Sequence, residues 1–237
     1  MSPDRAHENQ EELDAETPST PESIALTFFD ADPGLVFLLE DFKDAYTAYA
    51  RISDTKLPSF ESMKLAEGHP TGTFDAIVLA IRQGGSNTAE ALDATRLSAL
   101  SAIAQHGTRL YAIVETDGTD PEAARGVLAR LQRNAQTGNI LWGGATVLAM
   151  GGLSAKLCGS PRMGALRRPF SEAIDKLVGA VRMGCSVKRA QQLGGADVSA
   201  FDSDGAVMAK PAPPAPLWHL VAAHQNHPKK GWFALRV

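Results

Sequence analysis

The sequence predicts an α/β domain built on a doubly wound, five-stranded parallel sheet of order 2-1-3-4-5. Three observations carry this. Apolar runs at 75–80 and 109–115 are each followed by a polar loop and a helix-like stretch, the alternation expected of a parallel sheet. A third run at 137–152, TGNILWGGATVLAMGG, breaks at paired glycines, resumes and stops at a second Gly-Gly. Finally, 237 residues with 44% apolar content suffice for one such domain with a full core.

The elements follow in order. Residues 1–21 are acidic and rich in Pro, Ser and Thr, a composition expected to be disordered. The first strand is SIALTFF at 23–29, closed by the turn Asp30-Ala31-Asp32-Pro33-Gly34. A helix pattern spans 36–50, with Phe37, Leu38, Phe42, Tyr46 and Tyr49 near one face. A short second strand is expected at 49–53, followed by a long polar loop over 54–73. The run 74–80 reads as a strand buried on both faces, and 88–105 as a helix. The fourth strand covers 110–114. Asp120-Pro121-Glu122 then opens a helix: Asp caps, Pro suits the first turn and Glu favours the positive end. The fifth strand begins at Asn139. Pro169 opens a last helix carrying Phe170, Ile174, Leu177, Val178 and Val181 at one-face spacing. The domain is expected over 22–184, with a loosely attached Pro- and Gly-rich tail over 185–237 and a short helix near 217–224 that docks back.

Charge narrows the partners. Residues 1–22 carry seven acids against one Arg, a balance of −6, so the remainder holds 22 basic and 20 acidic residues, or +2. A near-neutral body has no basic stripe for nucleic acid. The longest apolar run, 141–153, is too short to span a bilayer. Cys158 and Cys185 lack metal spacing and form no disulfide framework, which fits a reduced cytosolic setting.

Ligands of doubly wound sheets bind beyond the carboxyl ends of the strands, at the switch point between strands 1 and 3. Function is therefore sought in the loops 30–34, 81–87 and 116–120. RISDTKLPS at 51–59, FDAIVLA at 74–80, RLYAIVETDG at 109–118 and the LWGGATVLAMGG run together resemble the flavodoxin-like NAD(P)H-dependent FMN reductase family over 23–183. The resemblance implies non-covalent FMN, hydride passing from NAD(P)H through the flavin to a small-molecule acceptor, and a homodimer. The chemistry would be the cofactor's, with the protein supplying binding and orientation.

The resemblance also implies a Gly-Ser-x-Arg-type turn after strand one, cradling the FMN phosphate at a helix N-terminus. Here two carboxylates, Asp30 and Asp32, stand in that turn. At ~5 Å and an effective dielectric of ~20, each would cost a phosphate charge roughly 3 kcal/mol. The flavin ring would be met by Arg82, Gln83, Gly84, Gly85, Ser86 and Asn87, with Thr116 and Gly118 beside it. Arg82 would stabilise the reduced flavin's negative charge near N1–C2. The same loops also read as ordinary polar turns before helix caps. Two expectations follow: an FMN oxidoreductase, or a non-catalytic binding or scaffold protein of the same fold that has lost FMN.

Other chemistry is weaker. Gly159-Ser160-Pro161-Arg162 matches the phosphate-loop text but follows strand five, so it reads as a solvated basic connection or a minor anion site. His219, His224 and His227 do not share a helical face and have no Cys or carboxylate beside them. No serine-nucleophile elbow or P-loop motif is present. Trp142 packs either on the sheet or at a subunit contact.

Overall fold

A computed structural model describes residues 19–65, 72–84, 92, 94–138, 140–195, 205–214, 216–218 and 220. Its centre is one six-stranded, all-parallel sheet of order β2-β1-β3-β4-β5-β6. The strands are β1 (Ser23–Phe28), β2 (Ser59–Lys64), β3 (Phe74–Gln83), β4 (Ala104–Thr116), β5 (Leu141–Leu148) and β6 (Ala206–Ala209). The expected 2-1-3-4-5 order is present, with a sixth strand added beyond it. β6 pairs with β5 in parallel, Ala145 opposite Ala206 through Leu148 opposite Ala209. Its four residues, AVMA, are too short to signal a strand amid the Gly- and Pro-rich sequence around them.

Helices cover both faces, as a doubly wound sheet requires. On one face lie α1 (Pro33–Ile52) and, further along the chain, a 16-residue helix over Arg168–Met183. Leu38, Phe42 and Tyr46 of the first meet Ile174, Leu177 and Val181 of the second in one core with Ile24, Val78 and Ile113. On the other face lie α2 (Ala94–Ala102) and α3 (Arg125–Thr137), the latter entered through a 3-10 turn over Pro121–Ala124. Leu100, Leu128 and Leu131 pack there on Ile77, Leu79, Ala112 and Val147. The central strands bury both faces because their apolar runs do not alternate: Ala76 to Ile81 is buried throughout. The Arg168–Met183 helix is α5; short helices α4 (Ser154–Leu157) and α6 (Val187–Leu193) flank it in the chain, and residues 216–218 are also helical.

One boundary moves. Residues 49–52, expected in a second strand, belong to α1, because Ala45, Tyr46 and Ala50 continue its buried face through its last turns. The second strand lies ten residues later, in the stretch expected as a loop. Ser59–Lys64 is an edge strand paired only to β1, with a half-exposed pattern that carries little apolar signal.

Residues beyond 184 contribute α6, β6 and Trp218. Trp218 is 1% exposed, sits 5.8 Å from the Phe170 ring and donates its indole N–H to Met150 O at 3.1 Å. Met150 follows β5, so this part of the chain lies against the carboxyl end of the sheet. Trp142 packs partly buried on the α2/α3 face. No helix among the described residues is long and apolar enough to cross a membrane.

Candidate functional site at the carboxyl edge of the sheet

Asp32 closes the amino end of α1. Its backbone is extended (φ −94°, ψ 125°), and its carboxylate accepts from Gly34 N at 2.7 Å and Leu35 N at 3.3 Å. Pro33 has no N–H, and Val36 N donates to Asp32 O at 3.0 Å. One residue thus satisfies every amide that the first turn would otherwise present.

Arg82, at the carboxyl end of β3, draws the neighbouring acids together. Its Nη1 and Nη2 both donate to the Asp32 carboxylate, the latter at 3.1 Å. Its Nε and Nη2 also donate to Glu115 Oε2, at 3.1 and 2.8 Å. Glu115 has no solvent exposure. Its remaining capacity is taken by Ser154, whose N–H reaches Oε1 at 3.1 Å and whose hydroxyl reaches Oε2 at 2.8 Å. Asp117 lies 3.9 Å from Arg82 Nε. Burial disfavours the Arg82 charge, but Glu115 and then Asp32 outweigh it and hold the guanidinium above its ordinary pKa.

The backbone is shaped around this network. A Cβ on Gly34 would lie 2.0 Å from Ser154 Oγ, and one on Gly84 would lie 1.7 Å from Asp117 Oδ2. Gly84 adopts φ +156° at this close approach. Beside the network, Arg96 pairs with Asp30 at 3.3 Å and lies 5.8 Å from the Phe29 ring. Two guanidiniums (Arg82, Arg96) therefore face four carboxylates (Asp30, Asp32, Glu115, Asp117).

The predicted site residues divide. Arg82, Gln83, Gly84, Thr116 and Gly118 are brought together: Gln83 registers with Thr116, and Asp117 N donates to Gln83 O at 3.0 Å. Thr116 is fully buried and donates its hydroxyl to Gly118 O at 2.9 Å. Gly85, Ser86 and Asn87 lie outside the described residues, as do His219, His224 and His227. Glu115 and Ser154 are central to the network yet carry no local motif; a carboxylate ending the apolar run 110–114 is the one trace Glu115 leaves in the sequence.

The fit of FMN can be judged from this geometry. A phosphate at the α1 end would meet the Asp32 carboxylate on the same amides, and the nearest guanidinium already spans two acids. The residues present do not fit the phosphate.

The basic connection after β5 is likewise internally matched. Arg162 reaches Asp41 and Asp175 at 2.8 Å each, and Arg167 reaches Asp41 at 2.6 Å while lying 4.7 Å from the Phe37 ring. Asp41 is 5% exposed. These arginines neutralise buried acid between α1 and α5. Among the described residues no group of three or more His, Cys, Asp or Glu side chains could hold a metal. The sequence matches no protein-family model and no curated protein.

Proposed function

We propose that the chain is a binding or scaffold protein on a flavodoxin-like sheet, whose switch point is closed by its own ion network where relatives of that fold hold an FMN phosphate. The observation that carries this is Asp32, which occupies the amides of the α1 end while paired to Arg82. A helix N-terminus attracts anions through those amides and the helix dipole, and here both are spent on an internal carboxylate. What remains at the edge is acidic, which repels a phosphate further.

A second reading, an NAD(P)H-dependent FMN oxidoreductase, is supported by one observation. The Arg82–Gly84 and Thr116–Gly118 segments sit side by side at the carboxyl ends of β3 and β4, where a flavin ring edge would need hydrogen-bonding groups. Fold alone does not choose between the two readings.

Titration of the full-length protein with FMN, followed by thermal shift, separates them. The scaffold reading expects no shift for the wild type. It expects Asp32→Ser, which keeps a capping hydroxyl and removes the charge, to gain a measurable shift. A dose-dependent stabilisation of the wild type by FMN would overturn it in favour of the oxidoreductase.

A further inference from the structure

A groove of about 320 Å3 lies on the outer side of α5, between the end of α1 and α6. Tyr49 of α1, Lys176, Gly179, Arg182 and Met183 of α5, and Ala190 of α6 line it. Small residues keep it open. A Cβ added at Gly179 would meet nothing within 4 Å, and Ala190 offers only a methyl. Tyr49 stands at the rim, 38% exposed.

Two cations in this groove have no carboxylate partner among the described residues. Arg182 donates to the hydroxyls of Ser53 at 2.9 Å and Thr55 at 3.4 Å, and its guanidinium lies 5.9 Å from the Tyr49 ring. All three of those partners are neutral. Lys176 is exposed and pairs with no described acid. The acid in the lining, Asp175, is held by Arg162 at 2.8 Å. The contrast is with Arg82, Arg96, Arg162 and Arg167, each of which reaches a carboxylate.

The first described residue lies at the end of this groove. Ser19 packs on Gly184, which closes α5 in the left-handed conformation at φ +60°; a Cβ there would collide with Ser19 O. Residues 1–18 precede that contact. They hold six acids (Asp4, Glu8, Glu11, Glu12, Asp14 and Glu16) against Arg5, a balance of −5. From Gly184 back to Lys176 the helix rises about 12 Å, a span that an extended chain covers in about four residues. Glu16 and Asp14, three and five residues before Ser19, fall opposite that stretch.

From this match of position and charge we infer that residues 1–18 dock in the groove of their own chain, their carboxylates opposite Arg182 and Lys176. Exposed ion pairs are individually weak, but the short connection through Ser19 makes the encounter intramolecular and so raises the local concentration. Another acidic chain has to displace this segment to reach the groove.

Zero-length carbodiimide cross-linking of the full-length protein tests this, with labelled and unlabelled protein mixed equally and the products mapped by mass spectrometry. The Lys56–Glu22 pair, 3.8 Å apart, supplies an internal control for reagent and fold. Lys176 is expected to join a side-chain carboxyl of residues 11–16 within one chain. Relative to the control, that link falls about fivefold or more on going from ~20 mM to ~1 M salt, which shortens the screening length to a few ångströms. Arg182→Gln lowers it about threefold or more by removing one of the two charges. The wild-type link and its salt dependence carry the test where Arg182→Gln fails to fold. A Lys56–Glu22 link without one from Lys176 to residues 1–18 would overturn the inference. So would Lys176 links found only between labelled and unlabelled chains, which would place a second copy's segment in the groove, or a yield indifferent to salt or to Arg182→Gln.

Discussion

Arg82 Nη2 lies 2.8 Å from Oε2 of Glu115, a carboxylate with no solvent exposure, so the guanidinium is the counter-ion of a fully buried charge. Removing one partner of such a pair costs far more than the pair contributes. Arg82→Met should lower stability by about 3 kcal/mol, because the buried Glu115 carboxyl loses its counter-ion. Glu115→Gln should cost less, since Arg82 retains Asp32 and Ser154 retains an acceptor. Urea denaturation of the two variants checks the order, and equal losses would count against it.

Asp32 holds two amides and a guanidinium. Asp32→Ala should therefore cost about 1–2 kcal/mol, the value of an N-cap. Asp32→Ser should recover most of that loss, since its hydroxyl can still accept from the first turn. Thermal denaturation distinguishes the two.

Trp218 ties the end of the described chain to the carboxyl end of β5 through Phe170 and Met150. Trp218→Ala should cost about 3–5 kcal/mol, the range for a buried aromatic. Native-state hydrogen exchange should rise at β6 in that variant. Unchanged β6 protection would show that the strand holds without this anchor.

Asp75 gives a pH-dependent contribution. Burial raises its pKa, but hydrogen bonds from the Ser23 hydroxyl, the Glu22 and Ser23 amides and Gln105 outweigh this and leave it below the ordinary value. A depressed folded pKa stabilises above the unfolded value and is lost as pH falls through the folded one. The Tm difference between wild type and Asp75→Asn should stay constant near neutrality and shrink below about pH 4. Differential scanning calorimetry across that range measures it.

Much of the fold was legible because the central strands are uninterrupted apolar runs and the helices carry one-face spacing. Ile77, Leu79, Ala112 and Val147 fall where those runs predict. β2 was not legible because an edge strand needs little apolar content, and β6 because its four apolar residues are too few to stand out from the Gly- and Pro-rich sequence around them. Asp32 is instructive. Asp32-Pro33 has the same form as Asp120-Pro121, which reads at once as a helix cap, and both carboxylates cap their helices. Read only against a phosphate, Asp32 looks like a repulsive charge; read against its own helix, it is the ligand. Glu115 and Ser154 escaped because their meeting joins residues 39 positions apart, and no local pattern announces a buried carboxylate's distant partners.

The most direct test of the closed switch point is the visible absorbance of the full-length protein after expression and purification with FMN supplied throughout. The account predicts a colourless protein with no bound flavin. A yellow protein with flavin absorbance near-stoichiometric to the polypeptide would contradict it, since Asp32 and FMN phosphate cannot hold the same amides.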